Sequence, residues 1–130
     1  MLIYKLKKSI KDYPNFPQKG IIFKDITPLL LDAELFSELI KKISNYSFLK
    51  KSDAIIAIDA RGFIFGSALA LAIKKPLILA RKKNKLPGKV LEQEYDLEYG
   101  KDSLAIQESA IACYHKFALV DDLLATGGTV

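Results

Sequence analysis

Two acidic residues followed by a glycine-rich turn are the side chains best suited to chemistry. Asp121 and Asp122 come directly after the apolar run 117–120, which has the composition of a buried strand. The turn Thr-Gly-Gly-Thr follows at 126–129, where glycines let backbone N–H groups approach an anion and threonine hydroxyls add donors. Strand, acidic pair and turn in this order are typical of a phosphate-binding loop. The alternative is an ordinary strand-to-helix turn with an aspartate capping the helix.

A second apolar run also ends in residues that could bind an anion. The run 54–58 predicts a buried strand and is followed by Asp-Ala-Arg-Gly at 59–62. Arg61 supplies a forked cation that suits a phosphate. Because ligands of open α/β sheets bind outside the carboxyl ends of strands, the ends at 59–62 and 121–129 could face one crevice. The alternative is a surface ion pair between Arg61 and Asp59.

Alternating helices and strands must position these loops. The predicted helices lie at 2–12, at 25–31 (a short helix or turn), at 33–49 with Asp32 as N-cap, and at 62–74. The predicted strands lie at 54–58, 77–80 and 117–120, with a loop at 13–24, a long loop or hairpin at 82–102, and at 103–112 a short strand followed by a helix. This alternation predicts an α/β fold with a parallel sheet.

Composition limits the class of protein. The chain of 130 residues, half of them hydrophobic, fits one domain with a real core. Its net charge of +5 is spread along the sequence, which suits a phosphorylated small substrate and does not indicate nucleic acid. No run resembles a membrane span or a signal peptide, so we expect no membrane partner and a cytoplasmic location. We expect the single cysteine, Cys113, to be a packing residue and His115 to be an exposed turn residue.

Five segments occur in the order found in the type I phosphoribosyltransferases, and in particular the chain resembles the adenine phosphoribosyltransferases. These segments are 16–28, 59–66, 81–88, 95–100 and 120–129. The resemblance implies a single domain over 1–130: a parallel sheet flanked by helices, an N-terminal helix and purine hood over 1–30, and a flexible lid over 82–102. It also implies transfer of a phosphoribosyl group from 5-phosphoribosyl pyrophosphate (PRPP) to adenine, giving AMP and pyrophosphate, with Mg²⁺ bound mainly through PRPP and a homodimeric assembly.

The resemblance also assigns residues to this reaction. The implied PRPP-binding residues are Asp59, Ala60, Arg61, Gly62, Arg81, Lys82, Lys85, Asp121, Asp122, Ala125, Thr126, Gly127, Gly128 and Thr129. The implied adenine-binding residues are Ile22, Phe23 and Lys24, the implied catalytic residues are Glu98, Tyr99 and Arg61, and no residue is assigned to a metal. Within these sets, Asp59–Ala60 would be a cis peptide bond and Arg81 would reach pyrophosphate across a dimer interface. Glu98 could exchange a proton with the purine as it bonds.

Some features depart from the family or leave alternatives open. Lys24 stands where many relatives have arginine, and Ala60 where serine is common. The run 81–83 could be a solvated strand end, and Glu98 with Tyr99 a solvent-facing hairpin. The family continues past residue 129 with a helix and further strands, so we expect a truncated chain or one poorly stable alone. The competing functions are transfer to xanthine, hypoxanthine or guanine, an inactive fragment, and a PRPP-binding regulator.

Overall fold

The computed structural model describes residues 1–97 and 100–123, and these form two units, 1–43 and 44–130. The elements that begin in the first unit are α1 (Leu2–Ser9), β1 (Lys11–Pro14), β2 (Ile22–Asp25), α2 (Thr27–Leu31) and α3 (Ala33–Ser44). The elements of the second unit are α4 (Ser47–Lys51), β3 (Ala54–Ile58), α5 (Gly62–Ile73), β4 (Leu77–Lys82), β5 (Val90–Leu97), β6 (Gly100–Gln107), α6 (Glu108–Ile111) and β7 (Phe117–Val120).

The first unit differs from its prediction at its first helix. Ile10 has extended backbone angles and ends α1, so the helix stops before the expected residue 12. The following residues form β1, which pairs antiparallel with β2, with Tyr13 opposite Phe23. Half of β1 and most of β2 fall within the segment 13–24 that the prolines and glycine marked as a loop, and the first half of β1 falls within the predicted helix. The pairing was missed because strands of four residues are too short for a hydrophobic period.

The predicted helix at 33–49 is two helices. Asp32 caps α3 as expected, because its Oδ1 accepts a hydrogen bond from the backbone N–H of Leu35 at 3.0 Å. Extended backbone at Tyr46 then separates α3 from α4. The short helix predicted at 25–31 is confirmed as α2, with a proline in its first turn.

The second unit is built on a five-stranded sheet with the strand order β5-β6-β4-β3-β7. Strand β3 pairs parallel with β4 on one side and with β7 on the other. All five residues of β3 are buried, as its wholly apolar sequence predicts. The three predicted strands, the helix from Gly62 and the α/β class are therefore confirmed.

The sheet also carries an antiparallel hairpin, so it is mixed. Strands β5 and β6 pair along their whole length, and β6 joins the sheet next to β4. The sequence left residues 82–102 as a long loop or hairpin, and most of β5 is exposed, so its polar composition concealed a strand. The predicted strand and helix within 103–112 are confirmed as the end of β6 and α6.

A small residue lets α5 approach the sheet closely. A Cβ atom at Gly66 would run into the methyl group of Ala57 on β3. The opposite face of the sheet holds a cluster of buried residues, with Leu104 and Ile106 of β6 packed against it; its members are Ala54, Ile56, Ile58, Ile78 and Ala80. Among the described residues, no helix has the length and apolar character needed to cross a membrane.

Candidate active site

Three parallel strands end at one edge of the sheet, and most of the predicted site residues follow them. Because β3, β4 and β7 run in the same direction, their carboxyl ends meet at this edge. The structure brings together there Asp59, Ala60, Arg61, Gly62, Arg81, Asp121 and Asp122. The expectation that the segments after β3 and β7 face one crevice is met by the residues that the structure describes.

An ion pair joins the segment after β3 to the segment after β7. The Nε atom of Arg61 lies 2.6 Å from Oδ2 of Asp122, whose side chain is only 8% exposed. Although the charges are in contact, Oδ2 of Asp122 has no hydrogen-bond partner within the described part of the chain. The charge of Arg61 offsets part of the cost of burying this oxygen, and a well-directed hydrogen bond would offset more. The arrangement therefore suits a ligand that supplies one.

The neighbouring carboxyl group, that of Asp121, has a raised pKa. Burial raises the pKa of the Asp121 carboxyl above its ordinary value of 3.8, and the side chain and charge of Asp122 add to the rise. The Asp122 backbone N–H donates to Oδ1 of Asp121 at 2.8 Å and opposes this rise, as does the charge of Arg61. Two adjacent acids at the end of a strand are thus held close to one cation.

A glycine allows the two segments to approach each other. A Cβ atom at Gly62 would lie 2.9 Å from the carbonyl oxygen of Val120 and 3.0 Å from Oδ1 of Asp121. Real Cβ atoms essentially never approach so closely, so any other residue would push α5 away from the end of β7. The glycine at this position therefore positions the acidic pair.

Asp59 connects the end of β3 to the end of β4. Its peptide bond with Ala60 is cis, as the resemblance implied. Its backbone N–H donates to the carbonyl oxygen of Ala80 at 2.9 Å, and its Oδ2 accepts from the backbone N–H of Lys82 at 3.3 Å. The same Oδ2 lies 3.5 Å from Nε of Arg81. The carboxylate of Asp59 therefore orients the Arg81 guanidinium at this edge.

Lys82 lies on the other face of β4 from Arg81. Its Nζ donates to Oδ2 of Asp102 at 2.6 Å and to the hydroxyl of Tyr95 at 3.1 Å. Burial alone would lower the pKa of Lys82, but these two hydrogen bonds outweigh it and the pKa is raised. Lys85 is exposed, and its carbonyl oxygen lies 3.4 Å from Nη1 of Arg81.

Several predicted site residues lie outside the described residues. These are Glu98, Tyr99, Ala125, Thr126, Gly127, Gly128 and Thr129.

The predicted adenine-binding residues lie in the first unit, on β2. Ile22 and Lys24 are exposed and Phe23 is half-buried, as alternation along a strand requires. The Nζ atom of Lys24 lies 2.7 Å from Oδ1 of Asp12 on β1, and the Phe23 ring meets the edge of Phe16 at a centroid distance of 5.2 Å. The charge of Lys24 is therefore oriented by a neighbouring strand.

Two residues outside the site test other expectations. Cys113 is exposed, so the expectation of a packing residue is wrong: it lies in the turn between α6 and β7. His115 is exposed in the same turn, as expected, and its backbone N–H donates to Oδ2 of Asp53 at 2.9 Å. Sequence reasoning missed Asp102 and Tyr95, the partners of Lys82. The sequence signal that could have found them is the alternation of side chains between the two faces of β5 and β6, which the charged residues of these strands obscure.

Comparison with known proteins agrees with this geometry. The model of the phosphoribosyl transferase domain family matches residues 26–130. An adenine phosphoribosyltransferase of Prochlorococcus marinus (strain MIT 9215) is 56% identical over all 130 residues, which cover 76% of that protein. The crystal structure of adenine phosphoribosyltransferase from Thermoanaerobacter pseudethanolicus superposes with a TM-score of 0.89 at 45% identity, over 99% of this chain and 74% of that one.

A second solved structure carries ligands. It is the Saccharomyces cerevisiae adenine phosphoribosyltransferase complexed with adenine and an imino-altritol bisphosphate, with a TM-score of 0.89 and 39% identity, over 98% of this chain and 75% of that one. A family model that spans most of the sequence, relatives more than half identical and a shared fold all agree. The chain belongs to the phosphoribosyltransferase family and, within it, to the adenine phosphoribosyltransferases.

Proposed function

We propose that this protein transfers the 5-phosphoribosyl group of PRPP to adenine, forming AMP and pyrophosphate in purine salvage. The observation that carries the proposal is the cluster at the carboxyl edge of the sheet, where two acids and two arginines meet in a family of that activity. The yeast relative, whose structure holds adenine and a bisphosphate, supports the same pair of ligand classes.

The acidic pair suits the sugar. Departure of pyrophosphate leaves positive charge on the ribose ring, and fixed carboxylates nearby stabilise it in the transition state. Asp121 and Asp122 supply two such groups after β7, and Oδ2 of Asp122 can accept a hydrogen bond from a ribose hydroxyl. The pair would therefore both bind the ribose and favour its cationic state.

The two arginines suit the leaving group. Arg61 and Arg81 each use Nε toward a carboxylate, while a guanidinium has five N–H donors in all. Guanidinium groups bind phosphates through paired N–H donors, and Asp122 and Asp59 hold the two arginines at the edge where a diphosphate would lie. Neutralising the charge on pyrophosphate as it departs lowers the barrier to its departure.

Mg²⁺ fits this site as an ion carried by the substrate. Mg²⁺ is bound in many enzymes by one or two carboxylates together with substrate phosphates, and Asp121 and Asp122 are the carboxylates at hand. When bound, it would neutralise charge on the diphosphate.

The remaining assignments rest on the order of motifs along the chain. Glu98 would exchange a proton with the purine, Tyr99 would lie beside it, and the lid over 82–102 would cover the reacting atoms and exclude water. The exposed strand residues Ile22 and Lys24, with Phe23, would bind the base. Ala125 to Thr129 would hold the 5′-phosphate through backbone N–H groups and hydroxyls.

Assembly and location complete the proposal. We propose a homodimer and a cytoplasmic location that suits a protein with a single cysteine. Arg81, which the resemblance places across the dimer interface, lies against Asp59 of its own chain. Sedimentation equilibrium of the purified protein would show a species of twice the chain mass, whereas a monomer at all concentrations would contradict the dimer.

Competition between bases tests the function. Pyrophosphate release would be measured with PRPP, Mg²⁺ and, in parallel, adenine, hypoxanthine, guanine or xanthine. We expect release with adenine alone, and equal release from His115→Ala, a variant of an exposed turn residue that precedes the amino end of β7, whereas the site residues follow its carboxyl end. Release with an oxopurine would instead indicate a related purine transferase. PRPP binding without release for any base would favour a regulator.

A further inference from the structure

We propose that Asp102 and Tyr95 are positioning residues, which together hold the Lys82 ammonium and so fasten the β5–β6 hairpin to the carboxyl end of β4. The kinetic consequence of this inference rests on the proposed function, whereas its structural consequence does not. Tyr95 begins the segment 95–100 that carries part of the resemblance, but the sequence assigned neither residue a binding or catalytic role.

The register of the sheet places the three side chains in one row. Tyr95 on β5 is directly opposite Asp102 on β6, and Lys82 on β4 is opposite Leu104 on β6. Leu104 and Asp102 are two residues apart on one strand, so they share a face. Lys82 therefore reaches Asp102 along the diagonal, a separation that a long side chain spans.

The side chains of Lys82, Asp102 and Tyr95 form a link between β4 and the hairpin through directed contacts. The Lys82 ammonium lies 2.6 Å from Oδ2 of Asp102 and 3.1 Å from the Tyr95 hydroxyl. The Asp102 carboxylate is itself oriented, because its Oδ1 accepts the backbone N–H of Ser103 at 2.8 Å. Half-buried charges held by several directed contacts constrain their strands more than exposed ion pairs do.

The position of the link matters more than its strength. Pairing between β4 and β6 ends at Lys82 and Leu104, whereas β6 continues back to Gly100 with β5 alone as its partner. Through Asp102, Lys82 thus holds β6 two residues beyond Leu104, where the pairing of β6 with β4 ends. Along the chain, Glu98 follows Tyr95 by three residues, and Tyr99 precedes Asp102 by three residues.

Arg81 and Lys82 therefore have different tasks. Neighbouring residues of a strand point to opposite faces, and Arg81 lies against Asp59 while Lys82 lies against the hairpin. The basic run at the end of β4 accordingly divides: one cation faces the crevice of the strand ends and the next one ties down the segment that carries the proposed catalytic residues.

Amide hydrogen exchange of the full chain tests the link without reference to activity. We expect Asp102→Asn to speed exchange of the β5 and β6 amides about fivefold, because it removes one charge-assisted contact. Asp102→Glu should retain most of the protection. The matched control is Asp96→Asn, which removes an exposed carboxylate from the same hairpin. Equal exchange in Asp102→Asn and Asp96→Asn would overturn the proposal.

Steady-state kinetics with PRPP and adenine then separate positioning from general destabilisation. We expect Asp102→Asn to lower kcat roughly tenfold with KM for adenine unchanged, Tyr95→Phe to lower kcat less, and Asp102→Glu to restore it. Increased exchange with unchanged kcat would overturn the positioning role. Absence of activity in the unmodified protein would refute the proposed function, and the exchange experiment would still decide whether the link fastens the hairpin.

Discussion

The adjacent strands β3 and β7 carry aspartates near both ends, and the two ends use them differently. Near the amino ends, Oδ2 of Asp53 accepts backbone N–H groups from His115 and Lys116, each at 2.9 Å. Beyond the carboxyl ends, Asp121 and Asp122 face the side chain of Arg61. The first arrangement uses rigid donors supplied by the chain itself, and the second uses a side chain that can also bind a ligand.

The pKa values shift in opposite directions at the two ends. The hydrogen bonds from His115 and then from Lys116 lower the pKa of Asp53 below 3.8. Burial and the neighbouring acid raise the pKa of Asp121 above that value. A carboxylate satisfied by the backbone stabilises the fold, whereas a carboxylate that is desolvated beside another acid is held at a cost. We infer that the carboxyl end is built for a ligand and the amino end for stability.

Neutralising one aspartate at each end of strands β3 and β7 tests this comparison most directly, and it should give the largest effect. Asp122→Asn should lower transferase activity by about 10²- to 10³-fold, because it removes a charge aimed at the developing cation. Asp53→Asn, the matched change at the other end, should leave activity per folded molecule unchanged. Initial rates of pyrophosphate release would measure both variants, and similar losses in the two would contradict the division of roles.

A smaller effect is expected from an added methyl group. Gly62→Ala should lower both activity and stability, the latter by about 1–3 kcal/mol, because its Cβ meets Val120 and Asp121 across the site. Gly66→Ala is the matched change in the same helix. Its added Cβ would crowd Ala57 on β3, so it should lower stability alone. Urea unfolding together with rates per folded molecule separates the two, and a fully active Gly62→Ala protein would show that the close approach has no catalytic role.

The smallest effects concern stability and pH, and their signs are opposite. The ionised Asp53 contributes stability that is present above pH 3.8 and is lost as pH falls through its lowered pKa. Asp53→Asn should therefore lower the free energy of unfolding at neutral pH and make no difference in strong acid.

For Asp121 the folded protein binds the proton more readily than the unfolded chain, so its ionisation destabilises the fold as pH rises through the raised pKa. Asp121→Asn should raise the free energy of unfolding at neutral pH while reducing activity, and the gain should disappear as pH falls toward 3.8. Urea titrations of both variants across this range are the measurement. A stabilising Asp53→Asn or a destabilising Asp121→Asn at neutral pH would reverse the comparison.

Local patterns predicted the central part of the second unit well. The apolar runs at 54–58 and 117–120 are strands with acids after them, and the helix begins at Gly62 as expected. Every residue of β3 is buried, whereas Phe117 and Leu119 of β7 are exposed, so the expectation of a buried strand is wrong at those two residues. Such runs are informative because complete burial leaves little alternative for an apolar segment. The hairpins were harder: β1 with β2 was assigned to a loop, and β5 with β6 was left as loop or hairpin, since exposed polar strands lack a clear period.

The sequence did not predict which acidic and basic side chains form ion pairs with each other. The sequence offered an ion pair between Arg61 and Asp59 only as an alternative, and the structure pairs Arg61 with Asp122 and Asp59 with Arg81. The same holds for Lys82, which the resemblance assigned to PRPP and which the structure also ties to Asp102. Each of these partners comes from a strand that is distant in sequence and adjacent in the sheet.

The sequence by itself determined which residues are present for chemistry and where β3, β7 and the start of α5, which carry the acids and Arg61, lie along the chain. Those properties follow from local causes: the hydrophobicity of short runs, the freedom of glycine and the family order of motifs. Only the tertiary structure decided which acid meets which cation, because the strand order places β3 between β4 and β7 and sets their registers. Charge contacts act over a few ångströms, and the sheet brings together groups that the chain holds tens of residues apart.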